Sequence, residues 1–186
     1  LIDHYIQADS SRKVSAFDSL SVLEIIVKSG LDAAIESLPQ DLKKSKDAVA
    51  ETIENNVRTK IVKEHLNDPS FYESMSRLLD QIIRERKDKA LTYEQYLSMI
   101  AELAKQVQEG KTIDTPDKIN TPAKVALYHF FDDDDEKAMA VYDAVVEYAP
   151  NGWKGDIAKE NIIKKAIYNK LNNVEETNKI FDIIAK

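Results

Sequence analysis

Five consecutive carboxylates, Asp132, Asp133, Asp134, Asp135 and Glu136, are the densest chemical signal in the chain. Oxygen donors of this kind suit Mg2+ or Ca2+. An EF-hand loop opening at Asp132 would need glycine at its sixth position, where Lys137 stands. The run therefore reads as a solvated turn whose last members cap the next helix and favour its positive end. Arg84, Arg86, Lys87 and Lys89 form an opposite cluster, and Arg84, Arg86 and Lys87 are the candidate DNA phosphate contacts, with Arg58, Lys60 and Lys63 as further cations. Glu85 and Asp88 interrupt that cluster, and cations also gather at helix C-termini because they complement the dipole. A solvated helix end is thus the competing reading. The single tryptophan, Trp153, sits with Lys154 in an Asn-Gly-Trp-Lys-Gly loop. Large aromatics anchor interfaces, so Trp153, Lys154, Asp132 and Asp133 are the candidate partner-interface residues, against a plug that seals two flanking helices.

Other chemistry is missing from the sequence. His4, His65 and His129 stand alone and read as structural or surface residues. There is no cysteine, so thiolate zinc sites, disulfides and Cys nucleophiles drop out together. Neither a GxxxxGK[ST] phosphate loop, a GxGxxG turn nor an HExxH pair occurs. No catalytic, cofactor-binding or metal-binding residue is assigned in this chain.

The elements that must position these residues are helical. Four glycines and five prolines in 186 residues fall between periodic segments, as in an all-helical chain. Ser21 and Glu24 have the spacing of a capping box, and Ser29-Gly30 stops the helix they open. A short helix over 31–38 ends at Pro39. The longest helix starts near Ser45 or Asp47 and reaches about Leu66, with Val49, Ile53, Val57 and Ile61 in one stripe. Asp68-Pro69 caps the next, whose predicted buried face is Phe71, Met75, Leu78, Leu79, Ile82 and Ile83. Thr92 and Gln95 set another capping box, making these two helices an antiparallel hairpin. After Gly110 to Thr121, a linker with two Thr-Pro pairs, helices are predicted over 122–130, 136–148, 156–171 and 174–185. The face of the second of these is expected to hold Met139, Tyr142, Val145 and Val146. The fold expected is an all-α, irregular bundle of about eight or nine helices. Its parts are a poorly defined segment at 1–20, a helical domain at 21–110, a linker at 111–121 and a C-terminal helical subdomain at 122–186.

Charge narrows the partners. The chain carries net −7, and residues 111–149 alone hold 4 Lys/Arg against 9 Asp/Glu. Nonspecific DNA affinity comes from cations, so an autonomous DNA binder is disfavoured while one basic face remains open. No apolar run reaches the ~20 residues of a membrane span, and no signal-peptide pattern opens the chain. With no cysteines, a cytoplasmic location is expected. A chain that opens on Leu1 reads as a piece cut from something longer.

Six segments carry a more specific signal. LDAAIESLPQDLKKSKDAVAETIENNVRTKIV at 31–62 resembles a stretch of the restriction (R) subunit of type I restriction enzymes, with AETIENNVR at 50–58 its most distinctive part. DPSFYESMSRLLDQIIRERK at 68–87, YEQYLSMIAELAKQV at 93–107, TPAKVALYHFF at 121–131, NGWKGD at 151–156 and NKIFDIIAK at 178–186 follow in the family's order. The resemblance covers about residues 20–186, and none of these motifs is catalytic. It implies the helical C-terminal region of that subunit. In that family a nuclease domain of the PD-(D/E)xK kind and two RecA-like motor domains come first. ATP and Mg2+ are bound there, not in this part. The implied partners are the motor domains of the same chain and the methyltransferase core, through its modification (M) subunit. An acidic face over 111–149 could orient the chain on a basic surface of the M subunit. DNA contact in support of the motor is the alternative role, and an independent enzyme is the third and weakest.

Overall fold

The structure, a computed structural model, describes residues 21–185. The segment at 1–20, His4 with it, lies outside the described residues. Among those described there are ten helices: α1 (Val22–Ser29), α2 (Leu31–Ser37), α3 (Gln40–Lys43), α4 (Lys46–Glu64), α5 (Pro69–Lys87), α6 (Tyr93–Glu109), α7 (Pro122–Phe130), α8 (Asp135–Tyr148), α9 (Ile157–Leu171) and α10 (Val174–Ile184). No strand occurs among them, so the chain is an all-α bundle. One helix more than expected forms because Pro39 ends α2 at Leu38 and at once starts the short turn α3.

Local chemistry sets the boundaries. Ser21 accepts from the Glu24 amide while Glu24 accepts from the Ser21 amide, and Thr92 and Gln95 repeat that exchange at α6. Asp68 and Thr121 cap α5 and α7, each followed by proline at the first helical position, where its missing N–H costs nothing. Gly110 closes α6 at φ 68°, a left-handed turn that glycine takes without strain.

Two buried clusters hold the helices together. The first runs from Leu23 to Val107 and packs α1, α4, α5 and α6, with Ile26, Ile53, Val57, Leu79, Tyr96 and Ile100 at its centre. The stripe Val49, Ile53, Val57 and Ile61 on α4 is buried throughout. On α5, Tyr72 joins Phe71, Met75, Leu79 and Ile82, whereas Leu78 and Ile83 are only partly buried. The second cluster runs from Ile119 to Phe181 and joins α7, α8, α9 and α10. Ile119 belongs to it, so the stretch between α6 and α7 is anchored near its end. Helix α7 packs on α5 as well as on α8 and α10, which makes it the bridge between the clusters.

The face expected for α8 is corrected by the structure. Ala138, Val141 and Ala144 are the buried residues, Met139, Tyr142 and Val145 are half-buried around them, and Val146 is 60% exposed. Small side chains at three-residue spacing let α8 lie close to α7 and α9, and the larger ones fall to the flanks. Ala138→Leu is accordingly expected to cost about 1–3 kcal/mol through overpacking. Val146→Ala should stay within about 0.5 kcal/mol. Equilibrium urea unfolding of the two variants distinguishes this packing from the reverse.

Candidate functional site

The acidic run folds as a turn. Asp134 accepts from the Lys137 amide at 3.0 Å and caps α8, and Asp135 pairs with Lys118 at 2.7 Å. Asp132 and Asp133 are exposed at φ 52° and 66°, a left-handed conformation that aspartate tolerates better than most residues. Among the described residues no group of three or more His, Cys, Asp or Glu side chains is placed to hold a metal ion.

The cations separate into unlike environments. Arg86 turns inward with 14% of its side chain exposed, donating to Glu54 at 3.1 Å and Asp47 at 2.7 Å. It also lies over the Tyr96 ring, 5.3 Å from the centroid. Its Nε and Nη1 are engaged by carboxylates and its side chain is largely enclosed, so Arg86 is withdrawn from the phosphate candidates. Arg84 and Lys87 remain exposed, without a carboxylate partner among the described residues. Arg58 is paired with Asp80 at 2.8 Å and Lys60 with Glu64 at 3.1 Å, and Lys63 is exposed. Because Arg58 faces Asp80, Lys63 lies level with the early part of α5, and Arg84 is farther along by roughly 14 Å of helix. Lys63 is therefore set apart, whereas Arg58 and Arg84 both lie against Asp80.

Trp153 is half-buried, its ring 5.9 Å from that of Phe181 on α10, and Lys154 sits over its outer side. It plugs the second cluster from the α8–α9 loop. Asp132 and Asp133 belong to the α7–α8 turn, and the structure records no bond or ion pair joining them to Trp153 or Lys154.

Two buried polar constellations went unread in the sequence. Inside the first cluster, the Tyr96 hydroxyl donates towards Glu54 at 3.1 Å and the Ala50 carbonyl at 3.3 Å, while Glu54 also accepts from Arg86. Burial, then the Glu54 charge, pushes the Tyr96 hydroxyl far above the usual tyrosine range, so it stays a donor. At the opposite end of α5, burial followed by Glu64 and Asp68 raises Tyr72 to about 12. The second constellation joins the clusters. Asp68 is buried at the start of α5, with Oδ1 accepting from the Phe71 amide at 3.0 Å and Oδ2 2.5 Å from Nδ1 of His129 on α7. A carboxylate only accepts, so Nδ1 carries the hydrogen. The imidazole stacks on Phe71 with centroids 4.7 Å apart, and its buried Nε2 has no partner. The capping position of Asp68 was legible in the sequence, but its partner lies 61 residues away.

An open cleft beside this pair is lined by Asp68, Tyr72, Gly110, Ile119, Pro122 and Val125. A methyl on Gly110 would stand 3.3 Å from the Tyr72 hydroxyl, so the α6 turn and the cleft wall are closely fitted. Among the described residues no helix is long and apolar enough to cross a membrane. Comparison of the chain with protein-family models, curated proteins and solved structures found no match.

Proposed function

We propose that this chain is the non-catalytic helical C-terminal part of a type I restriction enzyme R subunit, packing on the motor domains and docking to the methyltransferase core. The observation that carries this reading is the ordered set of six resembling segments. They fall on α2–α4, α5, α6, α7, the α8–α9 loop and α10, and so extend over both buried clusters. A motor that pulls DNA must be held to the subunits that recognise the site. Close-packed helices transmit load because their interiors are dense and nearly incompressible. Outer helix faces supply docking area without a pocket, and ATP and Mg2+ would act in the parent enzyme's other domains.

The test is co-elution of this chain with a purified methyltransferase core of M and S subunits on size-exclusion chromatography. A shared peak that an intact R subunit displaces is expected. Separate elution at micromolar concentrations overturns the reading. Arg84 and Lys87, exposed on α5 with no carboxylate partner among the described residues, favour DNA contact as the second reading. It predicts gel retardation of duplex DNA that falls steeply with salt and weakens in Arg84→Ala/Lys87→Ala. Absence of retardation at low salt removes it.

A further inference from the structure

The two halves of the chain meet across a narrow seam. No buried apolar side chain is shared between the cluster of α1, α4, α5 and α6 and the cluster of α7 to α10. Among the described residues, α5 with α7 is the one substantial helix contact between them. What crosses it is the Asp68–His129 pair, with the imidazole stacked on Phe71. Two open clefts border the seam, one between Glu64, Tyr72 and Val125, the other between Asn67 and Ala126 and Ile184. Large apolar interfaces hold two parts rigidly, whereas a small and partly polar one leaves them free to move.

The closed seam also carries a cost of its own. It strips water from Nε2 of His129 and gives that atom no partner, a loss recovered once the ring meets solvent. Parting the helices would leave each half whole. Asp68 would keep the Phe71 amide, so α5 stays capped, and Leu127 and Tyr128 hold α7 in the second cluster.

The connecting backbone has a free stretch between two anchors. Gly110 is fixed to the first half, donating to the Gln106 carbonyl at 2.8 Å with the Tyr72 hydroxyl beside it. Lys118 is fixed to the second half through Asp135 at 2.7 Å, and Ile119 is buried there. Across 111–117 the hydrogen bonds stay within local turns, from the Thr115 amide to Thr112 and from the Ile119 amide to Pro116. No ion pair ties this stretch to either cluster among the described residues.

We infer that the chain is hinged: α7 parts from α5 in the folded protein, and the second half swings about 111–117 while both buried clusters stay intact. The inference goes beyond the docking role, because it gives the chain two folded arrangements instead of one.

The experiment is single-molecule energy transfer between dyes on Glu94→Cys and Asn169→Cys in the full chain, which has no cysteine of its own. Glu94 lies at the end of α6 far from the seam and Asn169 on α9, and both are exposed. A high-transfer closed population is expected, with a low-transfer open one in exchange with it. Asp68→Ala removes the acceptor of the His129 Nδ1–H and should raise the open-to-closed ratio about tenfold or more. Far-ultraviolet circular dichroism of that variant should match wild type at the same temperature. Inserting Gly-Ser-Gly-Ser after Ile113 should lower transfer in the open population and leave the closed one where it was. A single unshifted peak in all three proteins overturns the hinge, as does a low-transfer population that Asp68→Ala leaves unchanged. Low transfer that arises only with loss of helical signal overturns it too, since the halves would then be unfolding instead of swinging.

Discussion

Asp68→Ala is expected to lower folding stability by about 2–4 kcal/mol and to split one unfolding transition into two. The variant loses the cap on α5, worth about 1 kcal/mol. It also leaves the His129 Nδ1–H buried without an acceptor, which costs a further 1–3 kcal/mol or so. His129 has nowhere else to turn, since Nε2 is already without a partner and Phe71 covers one ring face. The loss falls on the α5–α7 contact, between the two buried clusters, so each cluster should then melt on its own. Asp68→Asn is expected to lose less. Its amide oxygen can keep the Phe71 amide bond, and its NH2 can donate to Nδ1 if the ring proton moves to Nε2. Differential scanning calorimetry gives the number of transitions, and nitrogen-15 shifts of the imidazole give the tautomer. An alanine variant within about 0.5 kcal/mol of wild type, still melting in one step, would show that the pair holds nothing together.

Glu54→Ala is expected to be comparably damaging, at about 3 kcal/mol, by a different route. Removing one member of a buried ion pair leaves the other as an uncompensated charge, a loss that reaches 3–5 kcal/mol when both are fully enclosed. Here Arg86 keeps Asp47, whose side chain is largely in solvent, and Tyr96 keeps the Ala50 carbonyl. The expected cost is therefore set at the lower end. Glu54→Gln preserves an acceptor for Tyr96 and should cost about half as much. Because burial is the main cause of the raised Tyr96 ionisation and Glu54 the next, the Glu54→Ala variant should also ionise Tyr96 at lower pH than wild type. Urea unfolding combined with ultraviolet titration of tyrosinate measures both effects. Stability equal to wild type would remove Glu54 as an organiser of the first cluster.

What was legible in the sequence was local. Capping pairs such as Ser21/Glu24 and Thr92/Gln95, proline after Asp68 and Thr121, and glycine at 110 act within a few residues. They place helix ends to within one or two positions. The stripe on α4 was equally plain, since one face of a helix between neighbours must be apolar. Tertiary pairing was less so. Glu54 and Tyr96 lie 42 residues apart and Asp68 and His129 61, and no local pattern marks either pair. Arg86 looked like its exposed neighbours Arg84 and Lys87, although one or two steps of about 100° around the helix separate inward from outward. The buried side of α8 was misjudged because hydrophobicity was read from size, while close helix approach selected Ala138 and Ala144.

The bridge through α7 has a mechanical corollary. Tension drawn across the chain meets two routes in parallel. One is the packed α5–α7 contact with its aspartate–histidine pin; the other is the backbone over 111–121, which when straightened spans roughly 35–40 Å. The first is stiff and fails at small displacement, and the second catches the load only after the first has parted. Overload would thus uncouple the two halves before unravelling either, and the pin could reseat once the pull subsides.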